Sequence, residues 1–452
     1  MNISTRLNYW KSGKTQPLIQ NREVVDRLYQ KNRIAALLAI TLGSGFAYTC
    51  RLGLSIVKKP LIDGDIFSAE QLGVIGSAIF YGYAAGKFFN GILADYANIK
   101  KFFATGVLIS AIINLLMGWT SLLWVWILLW GLNGWFQGFN APSGIVTLSH
   151  WFSNNERGRY YGIWATAHGL GEGLTFIVIA ALVKYLGWQF GFWAPGVLCV
   201  FVAAGIYFTL QDRPQTLGLP SITDWRNDRG VTISSTAEGI EETLKAQLII
   251  LKMPTIWAIG LASAMIYMTR YAINSWGVLY LQEARGYSLI EAGAIIGVNT
   301  IAGIGGSIAF GFISDWFFKA RRPPVNLIYA LFEIAALFVI FFYPMANTRL
   351  LMGAFAVYGF TLSGLIASLG GLFAVDIAPK KASGAVIGFI GIFSYVAAAI
   401  QEWISGILIG SGTTIIDGVR HYDFNTVVIF WVGSSLLSLI FASLLWRVQP
   451  AN

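Results

Sequence analysis

Apolar runs of bilayer length recur along this chain, and that recurrence limits the folds open to it more than any motif does. A helix needs about 20 predominantly apolar residues to cross the hydrocarbon core. Runs of that length cover residues 34–57, 70–94, 102–121, 124–148, 160–184 and 190–210. They resume at 256–281, 289–314, 325–344, 349–373, 384–410 and 426–446. Hydrophobic residues make up 56% of the chain and charged residues only 12%, against about 25% charged in soluble domains. The expectation is an all-α membrane protein with 12 transmembrane helices, its partner the lipid bilayer. Fifty glycines and 17 tryptophans suit close helix packing and interfacial aromatic belts.

The net charge of +9 does not point to nucleic acid once the basic residues are placed. With the N-terminus inside, most Lys and Arg fall in segments on that same side, from Arg6 and Lys11 through Lys100, Arg157, Arg213, Lys319 and Lys380 to Arg447. Lys58, Lys59, Lys184, Arg285, Arg349 and Arg420 fall outside. This asymmetry is the positive-inside signature, and it predicts that both termini are cytoplasmic. The first 33 residues lack the apolar core of a signal peptide. Cys50 and Cys199 lie in apolar stretches without metal-ligand spacing, and no disulfide framework is expected.

The chain repeats itself. "GILAD" (Gly91–Asp95) ends the second run and "GFISD" (Gly311–Asp315) ends the eighth, 220 positions later. Arg51 and Arg270 occupy nearly the same offset in runs 1 and 7, and "NNERGR" after run 4 has a counterpart in "APKKASG" after run 10. The predicted organisation is a cytoplasmic segment 1–33, a six-helix half 34–210, a cytoplasmic linker 211–255 and a second half 256–452. This is the arrangement of the major facilitator fold.

Arg51, Lys87, His168, Glu172, Arg270, Glu333 and Glu402 lie within the runs. A charge at the bilayer centre costs about 2.5–3.5 kcal/mol on insertion scales and calls for a local reason. Lys87 is near enough to the end of its run to snorkel; Arg270 is not. Two arginines from equivalent runs of opposite halves would approach a central cavity. Their planar donor forks match phosphate or carboxylate oxygens, and with Lys87 and His168 they would neutralise a dianion such as a phosphate monoester. The competing reading is that each arginine pairs with a buried acid and only ties helices together, with Glu172 the acid within reach. Glu333 and Glu402 read as packing or cavity-edge groups. No phosphate-cradling loop, nucleophile motif or metal cluster is present, so neither an enzyme nor a cofactor is expected.

At these residues the sequence resembles the organophosphate:phosphate antiporter family of the major facilitator superfamily. The resemblance runs through "GKFFNGILAD", "NGWFQGFNAPSG", "HWFSNNERGRYYGIWATAHGLG", "LQDRPQTLGLP", "RYAINSWGVLY" and "DIAPKKASGAVIGFIGIFSY". It looks closest to the hexose-phosphate branch, especially its sensor-type members. The resemblance implies exchange of hexose phosphate, such as glucose 6-phosphate, for inorganic phosphate across the inner (plasma) membrane. It assigns Arg51 and Arg270 to a phosphate clamp, with Lys87 and His168 beside it. It places Tyr48, Tyr83, Gln137, Trp164 and Tyr267 around the cavity. The sensor-type alternative binds extracellular hexose phosphate and signals to a histidine-kinase partner; a proton-coupled carboxylate carrier would need Glu172 to titrate. Three departures stand out. Leu52, Ser275 and Thr300 occupy positions where the family has a lysine, an aspartate and a glutamate. The expectation is that neutral packing replaces an inter-half ion-pair network, because losing one member alone would strand a buried charge.

Overall fold

The computed structural model describes residues 11–227, 248–319, 321–344, 347–378, 383–416 and 419–448. Much of the expected linker, with Arg229 and Lys245, lies outside the described residues, as do Arg6, Lys380 and Lys381. The chain opens with α1 (Arg22–Asp63), α2 (Ala69–Tyr96), α3 (Ile99–Met117), α4 (Leu123–Gln137), α5 (Asn140–Trp151), α6 (Asn154–Leu186) and α7 (Phe190–Thr209). A short helix Ile222–Arg226 follows. Next come α8 (Pro254–Tyr271), a π-helical turn Ala272–Trp276 and α9 (Gly277–Glu283), then α10 (Leu289–Phe318), α11 (Arg322–Phe342) and α12 (Thr348–Ala367). A second π turn, Ser368–Leu372, leads into α13 (Phe373–Ile377) and α14 (Ser383–Ser411). A small antiparallel hairpin, β1 (Thr413–Ile416) and β2 (Val419–Tyr422), precedes α15 (Asn425–Ser443).

Among the described residues, 11 helical segments are long and apolar enough to span a membrane. The remaining expected run, 124–148, is divided between α4 and α5, neither of which has the required length alone. Pro142 supplies the reason. It has no N–H to bond the Gly138 carbonyl four residues back, so one helix ends at Gln137, capped by Gly138, and another starts at Asn140. The first two helices start on side-chain caps: Asn21 accepts from the Glu23 and Val24 amides ahead of α1, and Ser68 with Gln71 forms a capping box at α2.

Helices α1–α7 pack mainly among themselves, α1 against α6 and α7, α2 against α4, and α3 against α7. Helices α8–α15 do likewise, α10 against α12 and α8 against α14 and α15. The two groups meet along two seams, α2 with α14 and α6 with α10, and where α1 crosses the first π turn and α9. The N-terminal tail and the start of the linker share one face: Ser12 Oγ and the Gly13 amide donate to Asp212 at 2.8 and 3.0 Å.

The seams are closed at the opposite face and open at the linker face. A Cβ on Gly73 would stand 2.9 Å from Gly406 Cα, and one on Gly293 2.4 Å from the Phe176 carbonyl, so only glycine permits these approaches. Nearer the linker face, Gly91, Gly162, Gly311 and Gly388 face open space.

Ion pairs lock the closed end. Lys58, expected in an outer loop, is fully buried, because α1 continues to Asp63 and carries it into the seam. Its Nζ donates to Glu402 at 2.7 Å and to Ser275 Oγ at 2.8 Å, and sits 3.3 Å from the Trp276 ring centroid. Ser275 in turn donates to Glu402, and Trp276 Nε1 donates to its other oxygen at 2.8 Å. Lys59 pairs with Glu283 beside it. The expectation of neutral packing between halves is therefore overturned. Leu52 and Thr300 are uncharged, but Lys58 stands two turns beyond Arg51 and finds its acid on α14. Glu402 packs into this latch and also borders a small cavity beside Arg51, in keeping with both parts of its expected role. Glu333 is fully buried and bonded by Ser435 within the second group of helices, as a packing role requires.

Removing one member of a buried pair costs about 3–5 kcal/mol because the other charge is stranded. Glu402→Gln should loosen the closed face. With spin labels on the exposed Asp65 and Ser411 positions, the distance distribution should gain a longer component. An unchanged distribution would mean that glycine contacts alone hold this face shut.

Candidate functional site

Helices α1, α2, α6, α8 and α14 bring most of the predicted site residues to one region at the junction of the two groups. Arg51, on α1, is buried and has no carboxylate in ion-pair range among the described residues. Its Nη2 donates to the Tyr271 hydroxyl at 2.9 Å. Five rings surround the guanidinium: Tyr83 at 4.4 Å, Tyr48 at 5.5 Å, Phe80 and Tyr271 at 5.8 Å, and Tyr395 at 5.9 Å. Each desolvated cation–π contact is worth up to about 2 kcal/mol. Aromatic faces thus hold the charge while leaving most of its N–H donors uncommitted to any acid.

Arg270, at the end of α8, also approaches this tyrosine, 5.4 Å from the Tyr271 centroid and 6.0 Å from that of Tyr267. It has an acid, donating through Nη2 to Glu172 Oε2 at 3.2 Å. The π turn that follows fixes this arrangement. A π turn carries one residue more than an α turn, and here it directs Asn274 to Glu172 on α6 while Ser275 and Trp276 engage Glu402 on α14. Asn299 on α10 supports Asn274 with a 3.4 Å hydrogen bond.

Two cavities adjoin the arginines, one at each. The larger, about 390 Å³, is lined by His168, Glu172, Arg270, Asn274 and Asn299, and by the hydroxyls of Thr166, Thr300 and Ser307. The smaller, about 20 Å³, lies between Arg51, Ser55, Phe80, Tyr271 and Glu402. Arg51 and Arg270 come from opposite groups of helices and stand on a shared tyrosine, each facing its own space.

The other predicted residues divide into two sets. His168 packs edge-on between Tyr48 at 5.2 Å and Trp164 at 5.3 Å. Lys87 is half-buried, 5.5 Å from the Tyr395 centroid across the α2–α14 seam, with no acid in range among the described residues. Tyr267 and Tyr83 meet Tyr395 at 5.6 and 4.7 Å. Trp164 and Gln137, by contrast, turn into the first group of helices. Trp164 Nε1 donates to Ser44 at 2.9 Å, and Gln137 donates to the Ala47 carbonyl at 2.9 Å and Ser110 at 2.8 Å. Trp164 bears on the site by backing His168, and Gln137 by bracing α1 just before Arg51.

Sequence reasoning missed Tyr271, Tyr395, Phe80 and Asn274. Tyr271 adjoins Arg270 and Tyr395 ends the quoted "GIFSY", but nothing in their spacing marks them as ring partners of an arginine on another helix. Glu172, in contrast, is the acid that the sequence put within reach.

The sequence model of the Major Facilitator Superfamily matches residues 35–401. The membrane sensor protein UhpC of Salmonella typhimurium is 32% identical over 399 residues, covering 88% of this chain and 90% of that protein. A probable hexose phosphate transport protein of Chlamydia pneumoniae is 32% identical over 414 residues, 89% and 90% of the two chains. The glycerol-3-phosphate transporter of Bacillus subtilis is 32% identical over 431 residues, 94% of each. Among solved structures, a bacterial homolog of the human lysosomal transporter Spinster is similar in fold alone, with 16% identity, a TM-score of 0.71 and coverage of 92% of this chain and 95% of that one. The chain belongs to the Major Facilitator Superfamily and, through its relatives at 32% identity, to the organophosphate:phosphate antiporter family within it.

Proposed function

We propose that this protein carries a hexose phosphate, such as glucose 6-phosphate, across the inner membrane in exchange for inorganic phosphate. The observation that carries the reading is the pair Arg51 and Arg270, one from each group of helices, both in contact with Tyr271 and facing cavities. A phosphate group offers oxygens to both forks, and binding it draws the two groups of helices towards each other. Lys87, half-buried on the α2–α14 seam, and His168, on the larger cavity, complete the anion site.

The larger cavity suits the rest of such a ligand. Thr166, Thr300 and Ser307 donate their hydroxyl protons to carbonyls of their own helices. Their lone pairs remain free to accept from the hydroxyls of a sugar. The volume falls in the usual range for small-molecule sites, about 300–1,000 Å³.

Alternating access follows from the seams. With both termini and the linker in the cytoplasm, the open face is cytoplasmic and the Lys58–Glu402 latch closes the periplasmic side. Anion-free, Arg51, Arg270 and Lys87 repel one another when the halves approach, so reorientation is favoured with an anion aboard. That is the physical basis of exchange rather than free passage. The halves, residues 34–210 and 256–452, move as the two bodies of this cycle.

A second reading rests on the similarity to UhpC, named a membrane sensor protein, at the same identity as the transport proteins. The same arginines would then recognise extracellular hexose phosphate and pass the signal to a histidine-kinase partner.

In proteoliposomes, labelled glucose 6-phosphate should enter only vesicles loaded with phosphate. Saturable binding without uptake would favour the sensor, and no binding would refute both readings. Arg51→Ala and Arg270→Ala should each lower affinity by about 30-fold or more, since a hydrogen-bonded charge pair is worth about 2–5 kcal/mol on truncation. Retained binding in Arg270→Ala would sink the clamp. Tyr271→Phe keeps the ring but removes the hydroxyl that Arg51 bonds, and should cost about 1.5–3 kcal/mol, read as a lower unfolding midpoint. An unchanged midpoint would show that the rings alone hold Arg51.

A further inference from the structure

Glu172 has no part in the exchange scheme above, yet among the described residues it is the one acid in ion-pair range of Arg51, Arg270 or Lys87. It is almost wholly buried, with 4% of its side chain exposed against 19% for Arg270. It lies on α6 in the first group of helices and Arg270 on α8 in the second, so their contact crosses the interface from within the larger cavity. The geometry of the pair is unusual for an arginine and a carboxylate that serve only to hold helices together. Arg270 offers one nitrogen, at 3.2 Å, where a paired fork would offer two at shorter range. The second carboxylate oxygen is engaged by Asn274 rather than by the guanidinium. The remaining donors of Arg270 have no partner among the described residues.

We infer that Glu172 is a tethered anion, a specificity-determining residue that occupies Arg270 until a ligand phosphate displaces it; the inference rests on the transport reading. Three features support displacement. The single-point contact leaves part of the fork for an incoming oxygen. Asn274 and Asn299 give the released carboxylate a place to stay, so it need not enter hydrocarbon uncompensated. Both members line the cavity that a ligand would enter.

The consequence is a site whose charge is set by its own acid. Arg51, Arg270 and Lys87 total +3, and Glu172 brings the cluster to +2, the charge that a phosphate dianion balances. Binding exchanges one tie between the halves, Glu172 to Arg270, for another that runs from Arg51 through the phosphate to Arg270. The carboxylate therefore weakens binding and keeps the ligand releasable at either face.

The test is equilibrium binding of inorganic phosphate to the purified full-length protein in lipid nanodiscs, comparing wild type, Glu172→Gln and Asn274→Ala. Glu172→Gln should bind phosphate about tenfold more tightly, since it removes a competing close charge. A purely structural Glu172 would give weaker binding on removal. Should Glu172→Gln not yield folded protein, Asn274→Ala decides: freeing the carboxylate from its second partner should change phosphate affinity several-fold, and no change would overturn the inference. Equal or weaker binding by folded Glu172→Gln, with wild type still binding phosphate, overturns the tethered-anion role and leaves the transport reading intact. No saturable phosphate binding by any of the three overturns both.

Discussion

The buried pair of Lys58 and Glu402 is the contact on which the rest of the arrangement depends. Neither charge is tolerable alone in an apolar seam, so each requires the other half of the molecule to be where it is. Their meeting closes the face away from the linker and engages Ser275 and Trp276 on the π turn. That turn also carries Asn274 to Glu172 and follows directly on Arg270. One ion pair is thus linked, through five residues of helix, to the group proposed to hold the substrate. The latch and the site are therefore joined by covalent backbone rather than by a chain of loose contacts.

Two arginines in comparable positions are held by different physics. Arg51 rests among ring faces, which attract a cation without accepting its protons. Arg270 rests on a carboxylate. The first arrangement leaves a cation ready for an anion, and the second has to be opened. This asymmetry gives the two halves unequal parts in recognition even though the sequence repeat gave them equivalent arginines. The open glycines at the linker face and the occupied ones at the opposite face set the two faces apart, and both halves contribute to each.

The spans and the internal repeat were legible because hydropathy is written in consecutive residues. So were the two arginines, and Glu172 as the acid near them. Lys58 was misread for the same local reason. "VKKPLID" looks like the polar end of a span, and only the continuation of α1 to Asp63 places its lysine in the seam. The replacements Leu52, Ser275 and Thr300 were correctly seen as uncharged, but the charges had moved rather than vanished. Gln137 and Trp164 share helices with cavity residues, yet their side chains point into the first half, a matter of helix rotation that a linear pattern does not carry.

The sequence by itself determined that this chain is a polytopic helical membrane protein of repeated halves, and which ionisable residues its lipid-embedded segments must accommodate. Those facts follow from the bilayer, which acts on each segment as it is read. Only the tertiary structure decided which charge meets which: Lys58 with Glu402 across 344 positions, Arg270 with Glu172, Arg51 with rings drawn from both halves. The physical reason is that pairing inside a membrane depends on how helices rotate and approach. Glycine contacts, a proline break and a π turn set those approaches together, and no one of them sets them alone.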